Sequence, residues 1–186
     1  TSLQLTLVAV LGSTSQDTRQ RAIGLLSRVM PANDDDEGIA KLVASGVILK
    51  IVELMKSDGD ICGPFALKCL AVLTQKNHKA RQEVVRADKA LECLRRQLDS
   101  DSDVTVANAA LTLGHCATVP GVCRTLVDTD IVRRLLAKTD TVSPTIKENC
   151  AITLAKLATA DERHLHRLRE LGGIGILHSC MKYVQT

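Results

Sequence analysis

Aromatic side chains are scarce in this chain of 186 residues, which has one Phe, one Tyr and no Trp. Apolar residues nevertheless make up 45% of the sequence, an ordinary share for a globular domain. The core must therefore consist of Leu, Val, Ile, Ala and Cys, whose small side chains let helices pack closely. The same scarcity disfavours nucleic-acid binding, because single strands are usually bound by stacking on aromatic rings.

A strong net charge, a long apolar run and a CxxC pair are also missing. The net charge is +3, which is too small to indicate a nucleic-acid or membrane surface. No apolar run reaches the roughly 18 residues of a membrane span. The seven Cys are odd in number, and several lie within apolar segments, which is typical of a reducing, cytoplasmic compartment. The chain begins without Met inside an apolar segment, so we expect a fragment of a longer protein.

Internal repetition is the strongest pattern in the sequence. Four turn motifs align with their third residues at positions 46, 88, 130 and 172, an interval of 42 residues each time. An apolar helical segment also recurs, and its last Leu falls at positions 26, 70, 113 and 154. A period of about 42 residues with helical apolar spacing is typical of armadillo and HEAT repeats. One unit cannot bury its apolar face alone, so neighbouring units must stack.

Each unit is predicted to contain a short first helix, a second helix and a longer third helix, with no strands. The examples are Ala80–Ala87 and Val122–Thr129 for first helices, Ile48–Lys56 and Ile174–Val184 for second helices, and Val104–Ala117 for a third helix. Polar segments such as Ser57–Asp60 are expected to break the chain between second and third helices. Asp103 is expected to cap one third helix, and Ser143 before Pro144 another.

The third helices resemble those of armadillo repeats. Their family pattern A-L-x-x-L-x-N-L-A is similar to Leu111–Ala117 and Ile152–Ala158, and Gly172–Leu177 resembles the family's turn G-G-I-P-x-L. The resemblance implies an all-α, right-handed superhelical solenoid of three-helix repeats that binds proteins and has no catalytic role. We expect one armadillo-like domain over 1–186, divided into a partial unit 1–32, full units 33–76, 77–118 and 119–160, and a partial unit 161–186.

The resemblance also implies a binding groove, because the third helices of armadillo proteins line a concave face. The matching positions are Arg21, Gly24, Arg28, Phe65, Lys68, Val72, Asn108, Leu111, His115, Asn149, Ile152 and Lys156. The family's ladder of Asn is replaced by Arg28, Val72, His115 and Lys156, and its Trp positions are also changed. Because none of the twelve positions holds an acid, the groove should prefer an acidic or mixed-charge segment over a basic localisation signal.

Motifs for metals and catalysis are weak. Asp99–Asp103 begins like a calcium loop, yet Val104 and Ala110 stand where such a loop needs Gly and Glu. Asp34–Glu37 precedes a helix and is expected to cap it. The Cys residues lie on apolar faces, where thiols are usually inert, and no phosphate-binding or nucleophile motif is present. We therefore expect no enzymatic activity, no metal and no cofactor.

Two other functional classes stay open. Arg163–Arg169 forms a basic helix, and Arg95–Arg96 and Arg133–Arg134 add basic pairs, so a nucleic-acid-binding HEAT-like solenoid is one alternative. The interspersed acids Asp161, Glu162 and Glu170 favour a salt-bridged, solvated face instead. A structural spacer or dimerisation segment is the other alternative.

A narrower resemblance concerns the last third of the chain. Cys150–Leu157, Arg163–Leu165 and Leu168–Leu171 are similar to the C-terminal armadillo region of proteins that join chaperone-type tetratricopeptide repeats to armadillo repeats. This resemblance implies a cytoplasmic, chaperone-associated factor in the assembly of axonemal dynein arms.

Overall fold

The structure, a computed structural model, describes residues 2–32 and 34–181, and the backbone alone at residues 60 and 181. Every regular element in these ranges is helical. The α-helices are α1 Ser2–Val10, α2 Gln16–Arg28, α3 Asp36–Ala44, α4 Val47–Lys76, α5 His78–Ala87, α6 Glu92–Arg96, α7 Asp103–Cys116, α8 Val122–Thr125, α9 Ile131–Ala137, α10 Pro144–Ala160, α11 Glu162–Glu170 and α12 Gly173–Met181. Short 3-10 segments, Lys89–Leu91 and Gln97–Asp99, flank α6. The all-α prediction is confirmed, although residues 182–184 of the predicted last helix lie outside the described residues.

The chain divides into two compact units, Thr1–Lys89 and Ala90–Thr186. The first unit contains α1 to α5 and the second contains α6 to α12. The recurring leucines are buried in both units: Leu26 and Leu70 are 0% exposed, and Leu113 and Leu154 are 1% exposed. The repeat period therefore identified the core positions correctly. None of the described helices combines the length and the apolar character that a membrane crossing requires.

Serine side chains cap three of the third helices. Ser15, Ser102 and Ser143 accept hydrogen bonds from the backbone N–H groups three residues later, at the starts of α2, α7 and α10. The prediction for Ser143 is confirmed, and Pro144 takes the first helical position. The prediction for Asp103 is wrong by one residue: Ser102 is the cap, and Asp103 lies in the first turn, where its charge favours the helix start. Asp35 caps α3 as expected, with Oδ1 2.8 Å from the N of Gly38.

The polar segment Ser57–Asp60 is a kink and not the predicted break. The helix α4 continues through it, with non-helical torsions at Asp58 (φ −130°, ψ 29°). The Asp58 side chain is 7% exposed, and its carboxylate accepts hydrogen bonds from Arg19 Nε at 2.8 Å and Gln16 Nε2 at 3.2 Å. A buried carboxylate needs such partners. Second and third helices of this repeat are therefore joined by a bend that α2, one repeat earlier, holds in place.

The turns before the second helices do not share one conformation. Gly46 and Gly172 adopt φ of 77° and 67°, which glycine tolerates without strain. At the aligned position 88 the backbone is extended, and positive φ moves instead to Ala90 (52°) and Leu91 (50°). The predicted first helix Val122–Thr129 also ends early, at Thr125, and continues as turns.

Basic side chains from one repeat cap helix ends of the preceding repeat. Lys50 Nζ donates to the carbonyl O of Val8 at 3.0 Å, near the end of α1. His164 Nε2 donates to the carbonyl O of Cys123 at 2.7 Å, and this His is 2% exposed. Such donors satisfy helix carbonyls that lack a partner within their own helix, and the positive charge of Lys50 also interacts favourably with the helix dipole.

Candidate protein-binding site

The first compact unit carries six of the twelve predicted groove positions. Arg21, Gly24 and Arg28 lie on α2, and Phe65, Lys68 and Val72 lie on the part of α4 that follows the kink. The three cationic side chains are exposed, and Gly24, Phe65 and Val72 are partly exposed. No acid occupies these six positions, so the surface that they form carries positive charge.

A cavity of about 470 Å³ lies at this surface, against α2 and the start of the third-helix part of α4. Its lining includes Gly24, Leu25, Arg28 and Phe65. Leu25 is 48% exposed, so a large apolar side chain faces solvent at this cavity. A Cβ placed on Gly24 would meet no atom within 4 Å, so the cavity is open at that point.

The charges around the cavity are only partly compensated. Asp17, at its rim, pairs with Arg21, with 2.9 Å between Oδ2 and Nε. Among residues 2–32 and 34–181, Arg28 and Lys68 form no hydrogen bond or ion pair through their side chains. These two cations are therefore available to a partner of opposite charge.

The second compact unit uses its predicted groove residues differently. Three donors on one face of α10 reach carbonyls of α7, roughly one repeat earlier. Asn149 Nδ2 lies 3.0 Å from the O of Ala107, Thr153 Oγ1 lies 2.9 Å from the O of Ala110, and Lys156 Nζ lies 2.9 Å from the O of Gly114. The spacing of four and then three residues places these donors on one helical face. Asn149 and Lys156 are thus engaged in holding the two third helices together.

The four remaining predicted positions of this unit are Asn108, Leu111 and His115 on α7 and Ile152 on α10. His115 is 9% exposed, so little of its ring can reach a partner. Asn108, Leu111 and Ile152 are partly exposed. Six of the predicted positions therefore lie in the first unit and six in the second. The two exposed cations that form no ion pair among the described residues, Arg28 and Lys68, belong to the first unit.

One member of each predicted basic pair in the second unit, Arg95 and Arg134, is paired with an acid. Asp130 accepts from Arg95 Nη1 at 2.9 Å and from Arg134 Nε at 2.7 Å, and Arg134 also pairs with Asp99. The hydrogen bond from Arg134 lowers the pKa of Asp130 from its usual value. Sequence reasoning missed this network because its members lie 35 residues apart, beyond any helical pattern.

The basic helix α11 has the same character. Arg163 pairs with Asp161 at 2.9 Å, and Glu170 pairs with Arg167 at 3.0 Å and with His166 at 3.2 Å. The hydrogen bond from Arg163 lowers the pKa of Asp161. His164 points inward and is not part of an exposed basic face. These contacts fit a salt-bridged, solvated helix.

The cysteines are not arranged for nucleophilic or metal chemistry. Cys93 is partly exposed, and the six others are buried: Cys62, Cys69, Cys116, Cys123, Cys150 and Cys180. Burial raises the pKa of Cys69 and of Cys150 to about 12, which keeps both as thiols at neutral pH. In the described part of the chain, no three His, Cys, Asp or Glu residues come together as a metal site.

Comparison with curated proteins finds relatives that share this sequence over nearly its whole length. Tetratricopeptide repeat protein 12 of Homo sapiens is 37% identical over 179 residues, 95% of this chain and 25% of that protein. The same protein of Mus musculus is also 37% identical over 179 residues. The chain thus spans a quarter of the length of these relatives. No family model matches the sequence.

Comparison with solved structures identifies the fold. A computationally designed armadillo repeat protein for modular peptide recognition has a TM-score of 0.81 and 20% identity, covering 97% of this chain and 79% of the designed one. A designed armadillo repeat protein in complex with the peptide (KR)4 has a TM-score of 0.77 and 20% identity, covering 97% of this chain and 78% of that one. The fold is therefore that of armadillo repeats, as the sequence predicted.

Proposed function

Since the chain is an armadillo-type repeat domain, we propose that it is a non-catalytic scaffold that binds a partner protein or peptide along its third helices, the face that is concave in armadillo proteins. The observation that carries the proposal is the surface of the first compact unit. There, Arg28 and Lys68 are exposed and uncompensated among the described residues, beside an open cavity with apolar walls. Exposed apolar surface next to available charge is typical of interaction sites.

The partner is proposed to be acidic or of mixed charge. The designed armadillo protein solved with (KR)4 binds a basic peptide. This chain has the opposite requirement, because Arg21, Arg28 and Lys68 stand at the six positions of the first unit and none of the six is acidic. Complementary charge sets specificity and speeds association.

The cellular role that we propose is chaperone-associated assembly of axonemal dynein arms in the cytoplasm. The proposal rests on the 37% identity to tetratricopeptide repeat protein 12 over 95% of this chain. In such a protein, this region would supply the protein-binding surface, and tetratricopeptide repeats elsewhere would supply chaperone contacts.

A pull-down from ciliated-cell lysate tests the scaffold function. The bait is the chain itself, compared with a variant in which Arg28 and Lys68 are both changed to Glu. The matched control changes Arg124 and Arg169 to Glu, two exposed arginines of the second unit. Both variants alter the charge equally and should remain helical, because all four side chains are exposed.

We expect the first variant to lose proteins that the wild-type chain and the control retain, with dynein-arm subunits among them by mass spectrometry. Identical partners for all three baits would contradict the use of this surface. Recovery of RNA or DNA with the bait would support the nucleic-acid alternative, provided that binding weakens strongly with rising salt and is reduced equally in both variants. Self-association without any partner would support the spacer or dimerisation alternative.

A further inference from the structure

We infer that the cavity beside α2 in the first unit is a two-part recognition pocket for a segment in which a carboxylate side chain stands beside a bulky aliphatic one. The part of the cavity that is lined by Gly24, Leu25, Arg28 and Phe65 is called the Arg28 pocket below; Asp17, Gln20 and Arg21 line the rest. This inference rests on the proposed function and narrows it to one site and one ligand chemistry.

The apolar part of the Arg28 pocket is formed by Leu25 and Phe65. Leu25 is 48% exposed, and Phe65 is the one Phe of the chain and is partly exposed. Both side chains line the same cavity. Covering apolar surface is favourable in water, and an aliphatic side chain of a partner would do so here.

The charged part is Arg28. Its guanidinium presents paired N–H donors that match the two oxygens of a carboxylate. The one acid at the rim, Asp17, already pairs with Arg21 at 2.9 Å. The positive charge of Arg28 therefore has no compensating acid among the described residues of this unit, and the pocket selects an acidic group.

Gly24 keeps the pocket open on the α2 side. A glycine inside a helix costs stability relative to alanine because it loses more conformational freedom. At Gly114 the packing explains the glycine, since a Cβ there would lie 2.5 Å from Thr153 Oγ1. At Gly24 packing explains nothing, because a Cβ would meet no atom within 4 Å. The lack of a side chain at Gly24 leaves the cavity open at that position.

The predicted groove positions of the second unit form no equivalent of the Arg28 pocket among the described residues. The polar groove positions Asn149 and Lys156 donate to carbonyls of α7, and His115 is buried. This unit does contain a cavity of about 520 Å³, but the cavity lies away from those positions, and its lining includes Val119, Pro120 and the acid Asp161. The recognition pocket therefore lies in the first unit, and the second unit contributes packing.

Fluorescence anisotropy with three labelled eight-residue peptides tests the pocket directly. The probes are an alternating Glu-Leu peptide, an alternating Lys-Leu peptide and an alternating Glu-Ser peptide. The Glu-Ser peptide tests whether acidic charge alone is sufficient for binding. The Lys-Leu peptide tests whether aliphatic side chains alone are sufficient, and the Glu-Leu peptide combines both properties. We expect the wild-type chain to bind the Glu-Leu peptide at least tenfold more tightly than either of the others.

Two variants of the pocket complete the experiment. Gly24→Leu fills the cavity without a clash and should weaken Glu-Leu binding at least tenfold. Its control is Gly175→Leu, a helical glycine of the second unit with equally open space, which should change nothing. Arg28→Glu should abolish Glu-Leu binding and create binding of the Lys-Leu peptide.

Three results would overturn the inference. The first is binding of the Glu-Ser peptide as tight as that of Glu-Leu, which would indicate long-range charge attraction alone. The second is unchanged affinity in Gly24→Leu, and the third is no binding of any probe. If the lysate partner is still lost in the Arg28→Glu, Lys68→Glu variant, the scaffold function stands and only the assigned ligand is wrong. If that variant also keeps every partner, both proposals fail.

Discussion

Gly114 and Thr153 lie so close across the contact of α7 and α10 that a Cβ on Gly114 would meet Thr153 Oγ1 at 2.5 Å. The same hydroxyl donates to the carbonyl O of Ala110 at 2.9 Å. The Thr153 hydroxyl can therefore bond Ala110 only because Gly114, in the preceding repeat, has no side chain. Neither residue reveals this dependence in the sequence.

Gly114→Ala should lower the free energy of unfolding by about 1–3 kcal/mol, because Thr153 must move or lose its hydrogen bond. Gly24→Ala is the matched control and should stabilise the protein by roughly 0.5–1 kcal/mol, since its site is open. Urea denaturation followed by circular dichroism measures both. In the double variant Gly114→Ala, Thr153→Ala, the loss should be smaller than the sum of the two single losses. Equal stabilisation by both glycine substitutions would rule out the close contact.

The two polar groove residues of α10 should matter for stability and not for binding. Asn149→Leu and Lys156→Ala each remove a hydrogen bond to a carbonyl of α7 and should cost about 0.5–1.5 kcal/mol. Lys68→Ala, on the exposed surface of the first unit, should change stability by no more than about 0.5 kcal/mol. Affinity for the Glu-Leu peptide should show the reverse order. A larger affinity loss in Lys156→Ala than in Lys68→Ala would move the binding site to the second unit.

The pairing of Asp130 with Arg134 should make stability depend on pH in the acid range. Its folded-state pKa is lowered, so its contribution is present above the unfolded pKa of about 3.9 and is lost as pH falls through the folded value. The thermal midpoint of Asp130→Asn should lie below that of the wild-type chain at pH 7. The difference should shrink as the pH falls below about 4. A difference that persists unchanged at pH 2 would show that the carboxylate charge is not responsible.

Cys93 should be the first cysteine to react with iodoacetamide in the native protein. It is partly exposed, whereas the six other cysteines are buried and burial raises the pKa of Cys69 and Cys150 to about 12. Peptide mapping by mass spectrometry after a short exposure at pH 7.5 identifies the labelled residue. In denaturant all seven should react. Early labelling of Cys69 or Cys150 without denaturant would contradict the packing of α4 or α10.

The core of this protein follows from the sequence, and much of its polar structure does not. The leucines that recur every 41 to 44 residues are buried because apolar periodicity directly reports which face a helix buries. The cap of α7 was misplaced by one residue because Ser102 and Asp103 are both good caps. Left-handed torsions at Ala90 and Leu91 have no local marker, since glycine is the usual sign of them.

The kink at Asp58 and the hydrogen bonds donated by α10 could not be predicted from local sequence, because in both cases the partners lie about one repeat earlier in the chain. Ser, Asp and Gly in sequence are typical of a loop, yet the partners of Asp58 are Arg19 and Gln16, about one repeat earlier. Asn149 and Lys156 have the helical spacing of a solvated face, yet their acceptors lie 42 residues earlier. Comparing each polar side chain with the residues about one period earlier would have brought both sets of contacts to attention.

The pairing of Asp58 with Arg19 and Gln16 has a consequence for how the first unit unfolds. The kinked residue belongs to one repeat, and the residues that satisfy its carboxylate belong to the repeat before it. Unfolding of α2 would leave the buried Asp58 carboxylate in α4 without its partners. The amide hydrogens of the two helices should therefore exchange together and with similar protection. The cooperative element is therefore offset from the period of the sequence: it begins in the middle of one repeat and ends in the middle of the next.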